Sequence, residues 1–164
     1  MDMLSLPKAV NGSDINPMEA LHITVFEWQS IKEDLMNNAK LIDKAREVLY
    51  RRKLTEDCTV GEVSAALFTM DGNIYVGISI SAACGIGFCA EHSAIAQMIT
   101  HGETRIQKLV AISSDGKLLP PCGRCRELLY QVDRGNLKTE IILGLEKTVC
   151  LEELLPERWQ DLWE

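Results

Sequence analysis

Two short motifs carry the residues able to do chemistry. Pro121-Cys122-Gly123-Arg124-Cys125 places two thiols three residues apart at the predicted start of a helix, so both project from one side of its first turn. That spacing suits a tetrahedral metal. The NH groups and positive end of a helix also lower thiol pKa values, which matters because the thiolate is the ligand. Upstream, Cys89-Ala90-Glu91 sets a third thiol and a carboxylate at another predicted helix start. Three protein ligands, Cys89, Cys122 and Cys125, leave a fourth zinc position open to water, as in catalytic rather than structural sites. Zinc lowers the pKa of its water from about 15.7 to about 7. Glu91 is then the candidate to accept that proton and hand it on, as general base and acid in turn.

A Cys-x-x-Cys pair alone has other uses. In a closed structural zinc site, Cys84 would be the fourth ligand and Glu91 a helix cap, which leaves the spacing of Glu91 unexplained. A dithiol redox role is disfavoured by Pro120-Pro121 and by a third thiol with its own motif partner. Both halves, in this order, match the His-x-Glu and Pro-Cys-x-x-Cys signature of zinc nucleobase deaminases, which admits a three-cysteine form. The competing function is a catalytically silent zinc protein that binds a nucleoside or a partner as a sensor or assembly module. The intact Glu91 speaks against it. Ligand softness favours zinc over other metals.

The elements that must position these motifs follow from periodicity. Ile31, Leu35, Ala39, Ile42, Ala45 and Leu49 recur at helical spacing, and the pattern fades at Tyr50-Arg51-Arg52-Lys53, basic residues suited to a helix C-terminus. Strands are expected over 63–68 and 73–78, joined as a hairpin across Met70-Asp71-Gly72. A helix over about 89–100, a strand over 109–112, a helix over about 122–132, a strand over 140–143 and a short one over 148–150 complete the pattern. Two helices after a hairpin, each followed by a strand, imply right-handed crossovers in one mixed α/β sheet with helices on both faces.

At 164 residues the chain has room for one ordinary domain, expected over residues 31–164, preceded by an extension over 1–30 to which no role is assigned. Asn11-Gly12-Ser13 reads as a turn. A formal net charge of −7 argues against a nucleic-acid polymer as partner, since that affinity comes from Lys and Arg neutralising phosphates. The N-terminal residues lack the pattern of a secretory signal, and no run of about 18 apolar residues occurs, so the expectation is a cytoplasmic protein with no membrane partner. Six cysteines should then stay reduced. Cys58 and Cys150 are expected to be buried, Cys84 to be buried or to line the pocket, and His22 and His101 to lie on the surface.

Over residues 38–164 the sequence resembles the cytidine deaminase superfamily, in particular its small three-cysteine enzymes such as cytidine deaminase and blasticidin-S deaminase. The resemblance rests on Val63-Ser64-Ala65-Ala66-Leu67, Asp71-Gly72-Asn73-Ile74-Tyr75-Val76-Gly77, Cys89-Ala90-Glu91-His92-Ser93-Ala94-Ile95, Pro121-Cys122-Gly123-Arg124-Cys125-Arg126-Glu127-Leu128-Leu129 and Glu153-Leu154-Leu155-Pro156. It implies a three-layer α/β/α sandwich around a five-stranded mixed sheet, a homotetramer, and a small aminopyrimidine substrate whose exocyclic amine is replaced by oxygen. It also implies that the carbonyl of Pro120 meets the leaving amine and that the NH groups around Ala90 face the ring carbonyl. Ser81 and, from the closing segment, Trp159 complete the candidate substrate contacts.

Two departures stand out. Cytidine deaminases carry an Asn-x-Glu pair that holds the ribose, and counting back from Cys89 puts Ile78 and Ile80 there, which takes away the reason to prefer an ordinary nucleoside. His92 stands where an arginine usually offsets the thiolate charge, so His92 or Arg126 is expected to donate to the thiolates.

Overall fold

The computed structural model describes residues 37–162 together with Thr24; the expected extension over 1–30, with His22 and Asn11-Gly12-Ser13, otherwise lies outside the described residues, as does the helix start expected at Ile31. The described fold belongs to a compact unit spanning Asp34–Glu164. Helix α1 (Asn38–Glu47) is opened by Asn37, whose side chain accepts from the Ala39 NH at 2.9 Å. Its buried residues Leu41, Ile42 and Ala45 recur at three- and four-residue spacing, one face of a helix.

The basic stretch expected to close this helix does something else. Arg52 and Lys53 belong to an exposed strand, β1 (Arg52–Thr55), which pairs antiparallel with the start of β2 (Cys58–Thr69). Arg51 pairs with Glu62 at 2.9 Å. The charge that suits a helix end suits a solvent-facing edge strand equally well.

β2 turns across Asp71-Gly72, with Gly72 at φ 90°, into β3 (Ile74–Ala82). A short 3₁₀ turn (Ala83–Gly85) leads to α2 (Ala90–Thr100), then β4 (Ile106–Ser113), α3 (Gly123–Val132), β5 (Glu140–Gly144), β6 (Lys147–Cys150) and a one-turn α4 (Leu151–Leu154). The expected five-stranded mixed sheet is present in the order β3-β2-β4-β5-β6, and β1 makes a sixth strand. Residues 58–60 pair with β3 on one side and β1 on the other, so β1 lies on the flank that β4 occupies farther along. Among the described strands only β4 and β5 are parallel.

Alternation along the strands divides the core into two layers. Ala66, Phe68, Val110, Ile112 and Ile142 pack with Leu41, Ile42 and Ala45 of α1. Leu67, Leu109 and Ile141 pack on the other face with Ala94, Ile95 and Met98 of α2 and Leu129 of α3. This is the α/β/α sandwich. No helix among the described residues is long and apolar enough to cross a membrane.

One contact sets where α2 sits. A Cβ at Gly77 of β3 would lie 2.4 Å from the Ala94 nitrogen and 2.5 Å from both the Ala90 carbonyl oxygen and the Ser93 Cβ. The helix backbone therefore lies directly on the strand, and Ser93 Oγ donates to the Ile78 carbonyl at 2.9 Å. Gly77→Ala should lose about 1–3 kcal/mol of stability by overpacking, read as a lowered urea midpoint.

Candidate active site

Cys89 and Cys122 occupy equivalent positions. Each is the residue before a helix, Cys89 before α2 (φ −71°, ψ 158°) and Cys122 before α3 (φ −66°, ψ 166°), in extended conformation. Cys125 follows in the first turn of α3. Crossing the two helix starts over one face brings Cys89 Sγ to 3.6 Å from Cys122 Sγ, which is 3.5 Å from Cys125 Sγ. All three sulfurs lie within 4.8 Å of one another. Tetrahedral thiolates around zinc, each at about 2.3 Å, stand about 3.8 Å apart, so this set could hold such an ion with little rearrangement. Cys84, the alternative fourth thiol, is exposed on the 3₁₀ turn at φ 58° and is not part of the cluster. Cys58 and Cys150 are half-buried rather than buried, Cys150 because it caps the short α4, its NH donating to Glu153 at 2.8 Å.

The thiols differ in environment. Burial pushes Cys89 up, and burial followed by the charge of Glu91 pushes Cys125 up. Burial also acts to raise Cys122, but NH groups of the α3 first turn and the neighbouring thiols outweigh it and leave this residue below its ordinary value. Cys122 is thus the thiol most ready to ionise.

Glu91, in the first turn of α2, is 4% exposed. Burial raises its carboxyl pKa, opposed by its own backbone NH and the Cys125 thiol. A carboxyl raised in this way is better suited than an ordinary one to take up and return a proton.

A cleft of about 490 Å³ opens over these groups. That is within the usual range of about 300–1,000 Å³ for small-molecule sites. Cys89, Ala90, Glu91, Cys122, Pro120 and Ser81 all line it. Pro120 lies in the segment after β4, fixed where Leu119 NH donates to the Ala111 carbonyl at 2.9 Å.

Three expectations change. Trp159 is 57% exposed, does not line the cleft, and donates from Nε1 to Glu127 on α3 at 3.0 Å. The closing segment packs on the outside of α3 instead. Arg126 does not donate to a thiol: its Nε donates to the Pro121 carbonyl at 2.7 Å and its Nη1 to the Leu154 carbonyl at 2.9 Å, which ties the residue before Cys122 to the chain end. His92 stacks near Phe88, with centroids 6.5 Å apart, and its Nε2 is buried without a partner among the described residues. Burial, then Arg124, lowers its pKa, so its ring is neutral at pH 7. His101 is on the surface as expected, its Nδ1 on the Gln97 carbonyl.

The strand bordering the cleft carries the fourth change. Tyr75 packs with α2 and α3, and Gly77 touches α2. Alternation then sends Ser79 and Ser81 to this face, and both line the cleft. Ile74 and Val76 pack on the α1 side, and Ile78 and Ile80 follow them, although Ile80 also borders the cavity. The strand therefore presents two hydroxyls, not two isoleucines. Ser79 Oγ accepts from the Val63 NH at 3.0 Å, and Ser81 is exposed. Ser81, already a candidate contact, lines the cleft, whereas counting back from Cys89 points to Ile78 and Ile80; counting along the strand from Gly77 adds Ser79.

Known proteins are consistent with this geometry. A cytidine deaminase of Mycobacterium tuberculosis is 31% identical over 70 residues, 42% of this chain and 53% of the relative, so the match spans about half the relative's length. The structure of a cytidine deaminase from Mycobacterium leprae superposes with a TM-score of 0.62 at 27% identity, covering 74% of this chain and 99% of that one. That of the Mycobacterium tuberculosis enzyme gives 0.62 at 24% identity, covering 74% of this chain and 95% of that one, a likeness of fold. Residues 36–140 match the family described as the cytidine and deoxycytidylate deaminase zinc-binding region, and the chain belongs to that family.

Proposed function

We propose that this protein is a zinc-dependent hydrolytic deaminase acting on a cytosine-type small molecule. The observation that carries the reading is the buried carboxyl of Glu91 lining one cleft with Cys89 and Cys122, two of three clustered thiols whose third, Cys125, lies buried beside them. Cys89, Cys122 and Cys125 would hold the zinc, which when bound supplies a water acidified to about pKa 7 and leaves a position for it.

The chain's own groups then divide the work. Glu91 takes a proton from the attacking water and gives it to the substrate ring nitrogen. It then takes the second proton from the hydroxyl so added to the ring carbon and gives it to the amine, which departs as ammonia and leaves a carbonyl. The burial of Glu91 supports that role, because it raises the carboxyl above the usual carboxylate range. The carbonyl of Pro120 receives the leaving amine and the NH groups at the start of α2 face the ring carbonyl, by analogy with the family. Ser79 and Ser81 offer hydroxyls to the rest of the substrate, which restores a nucleoside to the candidates. We assign the activity to residues 31–164, to a homotetramer as in the family, and to the cytoplasm.

The alternative, a silent zinc-binding module, predicts ligand binding without turnover. A spectrophotometric screen of the zinc-loaded protein with cytidine, deoxycytidine, cytosine and blasticidin S separates the two. We expect turnover of at least one, reduced about 10²- to 10⁴-fold in Glu91→Gln. Retention of turnover in that variant would remove Glu91 from the reaction; silence on all four with zinc bound would favour the module.

Two further outcomes follow from the same site. Metal analysis should find one zinc per chain, and Cys122→Ala or Cys125→Ala should lose it while circular dichroism still reports a folded sheet. Ser81→Ala should raise KM for a ribose-bearing substrate severalfold with little change in kcat, since a neutral hydrogen bond contributes about 0.5–1.5 kcal/mol.

A further inference from the structure

Cys58, Cys84 and Cys150 lie outside the thiol cluster, and the first two share a second cavity of about 480 Å³. Ile80, Ala82 and Phe88 border both this cavity and the cleft that Glu91 lines. The two spaces have a common wall.

The sheet brings the two thiols together. Cys58 opens β2 opposite Ala82, the last residue of β3, and the pairing runs one residue further, where the Ala83 NH donates to the Asp57 carbonyl at 3.0 Å. In an ideal strand Cys84, two residues past Ala82, would be the diagonal neighbour of Cys58, about 7–8 Å away. A disulfide spans up to about 6.8 Å between Cα atoms, so a small movement of the 3₁₀ turn brings the pair within bonding reach. Access separates their roles. Cys84 is exposed, and at φ 58° it is the one non-glycine residue in the left-handed region among those described; Cys58 is half-buried. Such backbone strain is found at segments that switch.

We propose that Cys58 and Cys84 form a redox pair: a low-molecular-weight disulfide such as oxidised glutathione modifies Cys84, and Cys58 resolves the adduct. The Cys84 thiolate attacks one sulfur of the reagent, whose S–S bond breaks and releases one thiol. The Cys58 thiolate then attacks the Cys84 sulfur and expels the second. Two protein thiols are oxidised, and the reagent is reduced to two thiols that carry off the two protons. The new bond ties the turn to the start of β2. Ile80 and Phe88 exchange two backbone hydrogen bonds at 2.9 Å, closing the loop that holds Cys84, and Cys89 follows Phe88. A pull on Cys84 is therefore felt in the common wall and at the residue before Cys89.

The full chain, supplied with zinc to occupy the clustered thiols, is incubated with oxidised glutathione, alkylated and mapped by mass spectrometry. We expect peptides joined through Cys58 and Cys84, a link that dithiothreitol reverses. Cys58→Ser should stop at a glutathione adduct on Cys84, whereas Cys84→Ser should leave Cys58 largely unmodified. Amide hydrogen exchange over residues 81–87 should slow severalfold once the bond forms. An adduct that persists on Cys84 in the unsubstituted chain, oxidation confined to Cys89, Cys122 and Cys125, or no oxidised thiol at all would each overturn the pairing. Unchanged exchange over 81–87 would overturn the pull on the loop. None of these readouts uses turnover, so the deaminase reading stands or falls separately.

Discussion

The site exists because α2 lies in backbone contact with β3. At Gly77 a side chain of any size would collide with Ala90, Ser93 and Ala94 at once, so the missing Cβ sets the depth at which the helix rides on the sheet. Cys89, Ala90 and Glu91 are the first residues of that helix, and their height above the strand fixes the floor of the cleft. Were α2 displaced outward by the width of a methyl group, Cys89 would leave the reach of Cys122 before any ligand residue had changed. The interior is dense enough that such a shift is transmitted rather than absorbed.

A second consequence concerns charge. Two helix starts meet at the thiols, and each brings unpaired NH groups and a positive end to the place where negative charge must be tolerated. Burial works in the opposite sense on Glu91 and Cys125, and the balance differs from group to group. Cys122 sits where the donors outweigh desolvation; Glu91 sits where they do not. One cleft thus brings together a thiol held below its ordinary pKa and a carboxyl held above its own, two titratable groups pushed apart by their surroundings.

The outer parts of the chain have structural duties. Glu127 on the exposed side of α3 accepts from Gln131, Trp159 and Gln160, and Arg126 reaches the Leu154 carbonyl, so the C-terminal segment braces the helix that carries Cys122 and Cys125. The resemblance of the closing segment to the family's implies that Trp159 covers the substrate. Its indole NH found a carboxylate instead, as such groups do when one edge is packed and the other is wet.

The clustered thiols and the buried carboxyl were legible in the sequence because each motif is local: Cys89-Ala90-Glu91 and Pro121-Cys122-Gly123-Arg124-Cys125 specify helix starts and the side chains on them within a single turn. The hairpin, both helices and the alternating core were legible for the same reason. What the sequence could not decide was which face of β3 borders the cleft. Between that strand and Cys89 lies an irregular turn, with Cys84 at φ 58° and Gly85 at φ 68°, whose length cannot be transferred by counting. A strand has a period of two, so an error of one residue exchanges its faces. Only the contact of Gly77 with α2 settled the register, turning Ser79 and Ser81 toward the cleft and Ile78 toward the opposite layer.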